Sequence, residues 1–577
     1  VTRAVEVVDS RRLTGPNIHA RSPGAVIELR FGADVEVDGF IARWRDALTR
    51  GLATLGWTAQ LHVRRFEDLD GGQGAELWFR AEVDRLYAAT ELNDWAVAQA
   101  EADPADSADP DPELARLGAL AKLEQDQRRG VLELIAAAQD RGVPWLLDDD
   151  ELSLGYFGGS ESWPLGELPG PERVDWSGVR AGPVALITGT NGKTTTTRLL
   201  ARIVSKQGLR VGNTSTDGLY VHEQLVEPGD WTGPGGARAV LRNPAIDLAL
   251  LEAARGGLLR RGAGVNSCRV AVITNVAQDH LGEYGVFDLE TMAAAKGIVA
   301  TIVEPEGRVV LGAECPAVVT WAHGRELPAP IVWFSTDPDN PTLRGALAVG
   351  GEVWTVLDGQ LCRLQDAEIV PLCGVDELPL SLGGLARHNV QNALAAAAAA
   401  RGLGIDDAAI VAGLREFGAS AQDNPGRARL WIADNRPSLL LDFAHNLAGV
   451  AAIAELVRGL GEQAGTQVCF GMPGDRSDAE LRAIGAALAD FAPRRVILRE
   501  LPDYLRGREL GVIPPLLEQG LREGGYRGAI THAADEVASL DAAVQDAAAG
   551  ELIVVLVHTE REPVDAWLRE HGWRPGP

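Results

Sequence analysis

The stretch that most restricts what this chain can fold into is VALITGTNGKTTTTRLL, residues 184–200. Val184–Ile187 is an apolar run of strand type. A turn of Gly and Asn follows, then Lys193-Thr194, then an apolar-periodic segment of helical type. Strand, glycine turn, GK[ST] and helix together make the arrangement that cradles phosphate. Gly189 and Gly192 let the backbone curl so that successive N–H groups point at anionic oxygens. Lys193 is then expected on the terminal phosphates and the Thr194 hydroxyl on Mg²⁺. The commonest form of the motif would have glycine where Ile187 stands. The competing reading, a glycine turn with a stray lysine, leaves the strand–turn–helix context unexplained.

Composition limits the partners. The 577 residues are enough for about three domains of ordinary size. A formal net charge of −27 repels nucleic acid and anionic membrane, so neither is expected as a partner. No charged-then-apolar leader and no unbroken apolar run of spanning length is visible, so a cytoplasmic location is expected. Cys268, Cys315, Cys362, Cys373 and Cys469 are far apart, without a CxxC pair, and predict neither a disulfide framework nor a zinc ribbon. Lysine is scarce: Lys+Arg totals 54, yet lysine stands only at 122, 193, 206 and 296. A retained lysine is therefore a candidate for what arginine cannot do, acting as a point charge on phosphate or as a reactive amine.

Patterning divides the chain into an N-terminal α+β domain (1–165), a central P-loop α/β domain (166–420) and a C-terminal Rossmann-like α/β domain (421–577). In the first, residues 25–31 and 59–66 read as strands and 37–56 as a helix. The acidic, proline-containing stretch 102–113 reads as a loop, 114–142 as one long helix, and 150–183 as a linker. From 184 onward strand runs alternate with helical ones, which argues a parallel sheet. Residues 302–382 read as a β-rich subregion, and 387–404 as a helix with a glycine stop. LLLDF, QVCFG, RVILRE and LIVVLVH read as the strands of the last domain.

Chemistry-bearing residues cluster just after apolar runs, where open α/β sheets bind ligands. Glu252 ends LALLE and is followed by Arg255, Gly256 and Gly257; it reads as a Mg²⁺ ligand, or as the cap of the next turn. Asn275, Asp279 and His280 follow VAVIT. An imidazole beside carboxylates is a plausible divalent-metal ligand, although a lone histidine is usually structural. Lys296 follows 16 residues later. In the tail, Arg427, Asp442 with His445, and Gly474-Asp475-Arg476 suggest a second wall of the same cleft. Asn389 and Asn392 fit either a contact with the nucleotide base or helix capping.

TGTNGKTTTT, LEAARGG, TNVAQDHLG, RHNVQNALAA, PGR, DFAHN and PGDR, in this order, resemble the ATP-dependent Mur ligase superfamily. NTSTDGLYV, GDWTGPGGAR and YLRGRELG narrow the resemblance to its cyanophycin synthetase branch. The likeness is firm over about 184–577 and loose over 1–160, where RRLTGPNIHA carries it. It implies an ADP-forming acid–amino-acid ligase using ATP and Mg²⁺, which turns a small-molecule or peptide carboxylate into an acyl phosphate and joins it to an amino acid amine. Thr190, Asn191, Gly192, Lys193, Thr194 and Thr195 would bind ATP, and Thr194, Glu252 and His280 would hold metal. Asn389 or Asn392 would approach adenine, and Arg427 and Asp442 the phosphates and ribose. Lys193, His280, Lys296 (the lysine that several members carbamylate) and His445 would serve catalysis, with His445 and Asp475 bordering the amine site. Homo-oligomers are common in such enzymes. That branch carries an ATP-grasp domain, for which the linker here has no room, so one of its two ligation activities is expected to be missing. Leu447 replaces the usual proline after DFAHN. The alternative is a nucleotide- or peptide-binding accessory with little ligase activity.

Overall fold

The computed structural model describes residues 4–102, 111–420, 422–461 and 464–576. Most of the expected loop 102–113 therefore lies outside the described residues. Among the described residues, no helix is long and apolar enough to cross a membrane.

The N-terminal part is an antiparallel sheet in the order Val5–Leu13, Gly24–Phe31, Gln73–Arg80, Leu61–Glu67. The helix Val37–Thr54 covers it. Phe40, Ile41, Trp44, Ala47, Leu48 and Leu52 recur at helical spacing and are buried, while the Glu36 carboxylate caps the first turn by accepting from the Asp38 and Gly39 amides. The expected long helix over 114–142 is two helices, Pro112–Gln127 and Val131–Gln139. The break falls at Gly130, whose φ of +88° suits glycine far better than other residues. The expected linker is folded as well. Glu151–Leu154 pairs with Trp145–Leu147 on one side and Glu161–Pro164 on the other in a small antiparallel sheet, and Leu165, Val174 and Val179 pack into the N-terminal core.

The middle of the chain forms one eleven-stranded sheet. Its seven parallel strands run Val211–Ser215, Leu248–Glu252, Val184–Thr188, Cys268–Ile273, Val303–Gly312, Ile331–Phe334 and Val353–Leu357. An antiparallel hairpin extension lies at each edge. The β-rich stretch 302–382 is thus the far edge of this sheet. Strand Val184–Thr188 is central and completely buried, which is why it reads as an unbroken apolar run. The helix that follows, Lys193–Lys206, packs against the helices Arg387–Gly402 and Asp407–Glu416. Small side chains, Ala393 and Ala395–Ala400 among them, let these helices come close.

The C-terminal sheet has five parallel strands in the order Ala529–Ala533, Arg495–Arg499, Thr466–Phe470, Leu552–Leu556, Ser438–Asp442, closed by antiparallel Arg429–Ile432 and Arg574–Pro575.

The N-terminal sheet is joined to the middle of the chain by a buried charge network. Glu76 accepts from Arg11 (2.7 Å) and Arg64 (2.6 Å) and lies 3.2 Å from His19. Arg11 also donates to the Leu259 carbonyl at 3.0 Å, and Arg64 to that of Gly285 at 2.8 Å. Phe66 stacks on Phe287. The first sheet therefore braces the helix Arg255–Arg261 and the loop at 284–287, which follow the carboxyl ends of two middle strands.

Candidate active site

Three neighbouring strands of the middle sheet deliver their following loops to one place. After Val184–Thr188 the chain turns through Gly189 (φ +148°) and Gly192 (φ +85°). A Cβ at Gly189 would stand 1.9 Å from Thr274 Oγ1, and one at Gly192 2.1 Å from Asn392 Oδ1. Both glycines are thus required by conformation and by space. The turn is tied to the loop after Cys268–Ile273. Asn191 N donates to Asn275 Oδ1 at 2.9 Å, Thr274 Oγ1 to the Asn191 carbonyl at 2.7 Å, and Thr190 N to the Asn275 carbonyl at 2.9 Å. No side chain caps the N-terminus of the helix at Gly192. Its end therefore presents main-chain N–H groups and the positive end of the helix dipole to the cleft.

Thr194 Oγ1 donates to Glu252 Oε2 at 2.9 Å and lies 3.3 Å from Thr216 Oγ1. Glu252 is buried at the end of its strand, and among the described residues its second oxygen has no hydrogen-bond partner. Burial pushes its carboxyl up to about 7, against the pull of Lys193 and the Thr194 hydroxyl. A small cavity bounded by Thr214, Thr232, Gly233 and Gly257 lies beside it. A buried carboxylate with an unused oxygen next to a hydroxyl suits a hard cation. Lys193 Nζ donates to the Thr190 carbonyl at 3.0 Å, so the ammonium folds over the turn. Lys296 donates to the Gly189 carbonyl at 3.0 Å from below. Burial, reinforced by Lys193, brings its amine down to about 7, although Asp279 opposes this.

The C-terminal sheet supplies the facing wall. Asn191 and Asn446 exchange side-chain amide bonds, Nδ2 to Oδ1 in each direction, at 3.1 and 3.0 Å. His445 Nδ1 bonds the Phe443 carbonyl at 3.0 Å, which places the proton on Nδ1 and leaves Nε2 facing Asp279 Oδ2 at 3.9 Å. Burial holds His445 below the usual histidine range. Burial disfavours the charged form of Asp279, but His445, His280, Arg476 and Lys193 outweigh it and keep the carboxyl below its ordinary value. Asp442 accepts from the Ala428 and Ala444 amides, both at 2.7 Å, while burial pushes it up to about 6. Arg427 donates to Asp217 at 2.8 Å.

Two groups of expected site residues have other partners in this geometry. His280 does not join Glu252. Arg476 reaches across the cleft and donates to Asp279 at 2.8 Å, and its guanidinium nitrogens stand 2.9 and 3.2 Å from the two ring nitrogens of His280, one of which, in the neutral ring, can accept from it. A neutral imidazole that accepts from a guanidinium has its one free lone pair engaged. Among the described residues, no three His, Cys, Asp or Glu side chains converge as a metal cluster. Asn389 and Asn392 do not open toward a base either. Asn389 donates to the Leu380 carbonyl at 3.0 Å, and Asn392 donates to Asn389 and packs behind Gly192. Thr195 bonds Asn424 at 3.2 Å, on the segment leading into the C-terminal sheet. Three further members have no role legible in the sequence: Asn446, the partner of Asn191, and Asp217, which lie within DFAHN and NTSTDGLYV, and Arg561, which lies in none of the motifs and donates to Asp217 at 3.1 Å. Each gains its meaning from a residue more than 200 positions away.

Two family models match the chain: the Mur ligase middle domain over residues 187–400 and the Mur ligase glutamate ligase domain over 426–557. Cyanophycin synthetase of Synechocystis sp. is 36% identical over 384 residues, covering 66% of this chain and 43% of that protein. Cyanophycin synthetase of Crocosphaera subtropica is 37% identical over 374 residues, covering 65% and 42%. The chain spans less than half the length of these relatives. A solved structure of bifunctional folylpolyglutamate synthase/dihydrofolate synthase with Mn, AMPPNP and L-glutamate bound is 20% identical at a TM-score of 0.48, covering 67% of this chain and 89% of that one.

Proposed function

Since this chain belongs to the Mur ligase family over its middle and glutamate ligase domains, we propose that it is an ATP-dependent, ADP-forming ligase joining a carboxylate to an amino acid amine. The observation that carries the reading is the Thr194–Glu252 pair at the head of an uncapped helix, with one buried carboxylate oxygen unused.

In this proposal the glycine turn and Lys193 bind the ATP phosphates. Thr194 and Glu252 would hold Mg²⁺, which when bound neutralises charge on the phosphate oxygens. The substrate carboxylate attacks the γ-phosphorus, the bond to the β-phosphate oxygen breaks, and ADP leaves. Phosphoryl transfer needs positioning and charge neutralisation more than covalent help. The C-terminal wall, drawn in by Asn191–Asn446 and Arg476–Asp279, excludes water from the acyl phosphate. An incoming ammonium would sit between Asp279 and His445. The neutral Nε2 of His445 takes one proton, the nitrogen attacks the carbonyl carbon, and phosphate departs with the second proton. Lys296 has the lowered basicity that reaction with CO₂ to a carbamate requires.

The kinship with cyanophycin synthetases favours an acidic peptide or β-aspartyl carboxylate and a basic amino acid. The test is a panel of dipeptides and amino acids scored for ADP release, with mass spectrometry of the product. Amine-dependent ADP release that disappears in Lys193→Ala supports the proposal. Tight ATP binding with no turnover on any pair would favour a nucleotide-binding accessory instead.

A further inference from the structure

Asp217 stands in the two-residue turn between the strands Val211–Ser215 and Gly218–Val221, directly after Thr216, which meets Thr194. Its carboxylate is almost fully buried and is surrounded by arginines. Arg427 donates to one oxygen at 2.8 Å and to the other at 3.5 Å, Arg561 donates to that second oxygen at 3.1 Å, and Arg198 lies at 3.8 Å. Arg198 is otherwise engaged, donating to the Tyr220 hydroxyl and the Gln422 carbonyl. Glu252 and Asp442 are near enough to favour the charge on Arg427, but each spends its hydrogen bonds elsewhere, on Thr194 and on main-chain amides. Two guanidinium groups therefore share one carboxylate.

Arg561 is built into this place. It opens the helix Arg561–Glu570 beyond the carboxyl end of strand Leu552–Leu556. Its guanidinium lies 5.8 Å from the Phe443 ring, with that of Arg427 at 5.6 Å from the same ring. Gly426 adopts φ +67°, and a Cβ there would stand 3.1 Å from Arg561 Nε. Among the described residues, Asp217 is the one hydrogen-bonding partner of Arg561. A planar, always-charged group with spare donors, beside a helix N-terminus, is suited to an oxyanion.

We propose that Arg561 is a second phosphate-binding arginine, acting with Arg427 on the terminal phosphates of the nucleotide, and that Asp217 holds both guanidinium groups until those phosphates displace it. This rests on the ATP-dependent reading above. It adds a residue that the glycine-turn motif does not contain and a competing carboxylate within the site.

The experiment is titration of the full chain with Mg–ATP and with AMP, followed by calorimetry. Charge-assisted hydrogen bonds are strong enough that Arg561→Ala should weaken ATP binding by about 10- to 100-fold. AMP binding should be unchanged, and Arg561→Lys should recover part of the loss. Asp217→Asn removes the competitor and should tighten ATP binding by a few-fold. Unchanged ATP affinity in Arg561→Ala, or an equal loss of ATP and AMP, overturns the role of Arg561. Weakened ATP binding in Asp217→Asn overturns its role as competitor. Failure of the parent chain to bind ATP at all would overturn the broader reading instead.

Discussion

Glu28 is the side chain whose removal should help the fold most, and the effect should depend on pH. It lies on strand Gly24–Phe31 directly opposite Glu76 on Gln73–Arg80. Like charges in that position repel. Glu76 takes the available compensation from Arg64, Arg11 and His19. Glu28 is 1% exposed, its oxygens make no close hydrogen bond among the described residues, and the partial compensation from the Gly285 backbone and from Arg11 at 3.7 Å falls short of its burial. Burial, and then Glu76, push its carboxyl up from 4.5 to about 7. Between those values the folded state binds more protons than the unfolded state, so stability falls as pH rises. The gap of about 2.5 pH units corresponds to about 3 kcal/mol lost once the pH exceeds both values. Glu28→Gln keeps the shape and removes the ionisation. Relative to the parent it should be neutral near pH 4.5 and more stable by about 3 kcal/mol at pH 8. In a cooperative unit of roughly 150–250 residues this is a rise in Tm of about 6–12 °C. Thermal scans of both chains from pH 4.5 to 8, with amide protection in Gly24–Phe31 as the local reporter, measure it. A difference that is constant with pH, or a variant less stable at pH 8, would refute the argument.

Glu76→Gln should act in the opposite direction. It removes the buried charge that Arg11 and Arg64 share, leaving Arg11 with Asp9, and should cost about 3–5 kcal/mol, visible as lost protection at 284–287 as well as in the first sheet. Gly192→Ala forces a Cβ into Asn392 at positive φ and should abolish nucleotide binding while leaving the C-terminal sheet folded, as circular dichroism and ATP titration would report. Asn446→Ala removes the exchange with Asn191. It should lower kcat more than it raises KM for ATP, because it loosens closure rather than phosphate contacts, and steady-state kinetics at saturating ATP decide this.

Much of the first-order reading came from local pattern. The run from Val184 to Leu200 is interpretable alone, because a buried central strand, a glycine turn and a helix N-terminus each have a local cause in the residues themselves. Glu252 likewise follows from its place at the end of an apolar strand. The split of 114–142 at Gly130 and the folding of 150–183 escaped the pattern. A helix-competent sequence does not reveal a left-handed turn, and Leu165, Val174 and Val179 acquire a core only from another segment.

Which loop faces which was decided by the packing of the sheets. His280 reads as a metal ligand in the sequence, and in the fold Arg476, 196 residues later, stands against its ring. Asn392 reads as a base contact until it is found filling the space behind Gly192. Arg561 and Asp217 have no relation in the sequence and share a carboxylate–guanidinium contact in space. The physical reason is range. Backbone conformation and strand burial are set by residues within a few positions. Hydrogen bonds between charged side chains are set by which strand ends the packed sheets bring within about 3 Å.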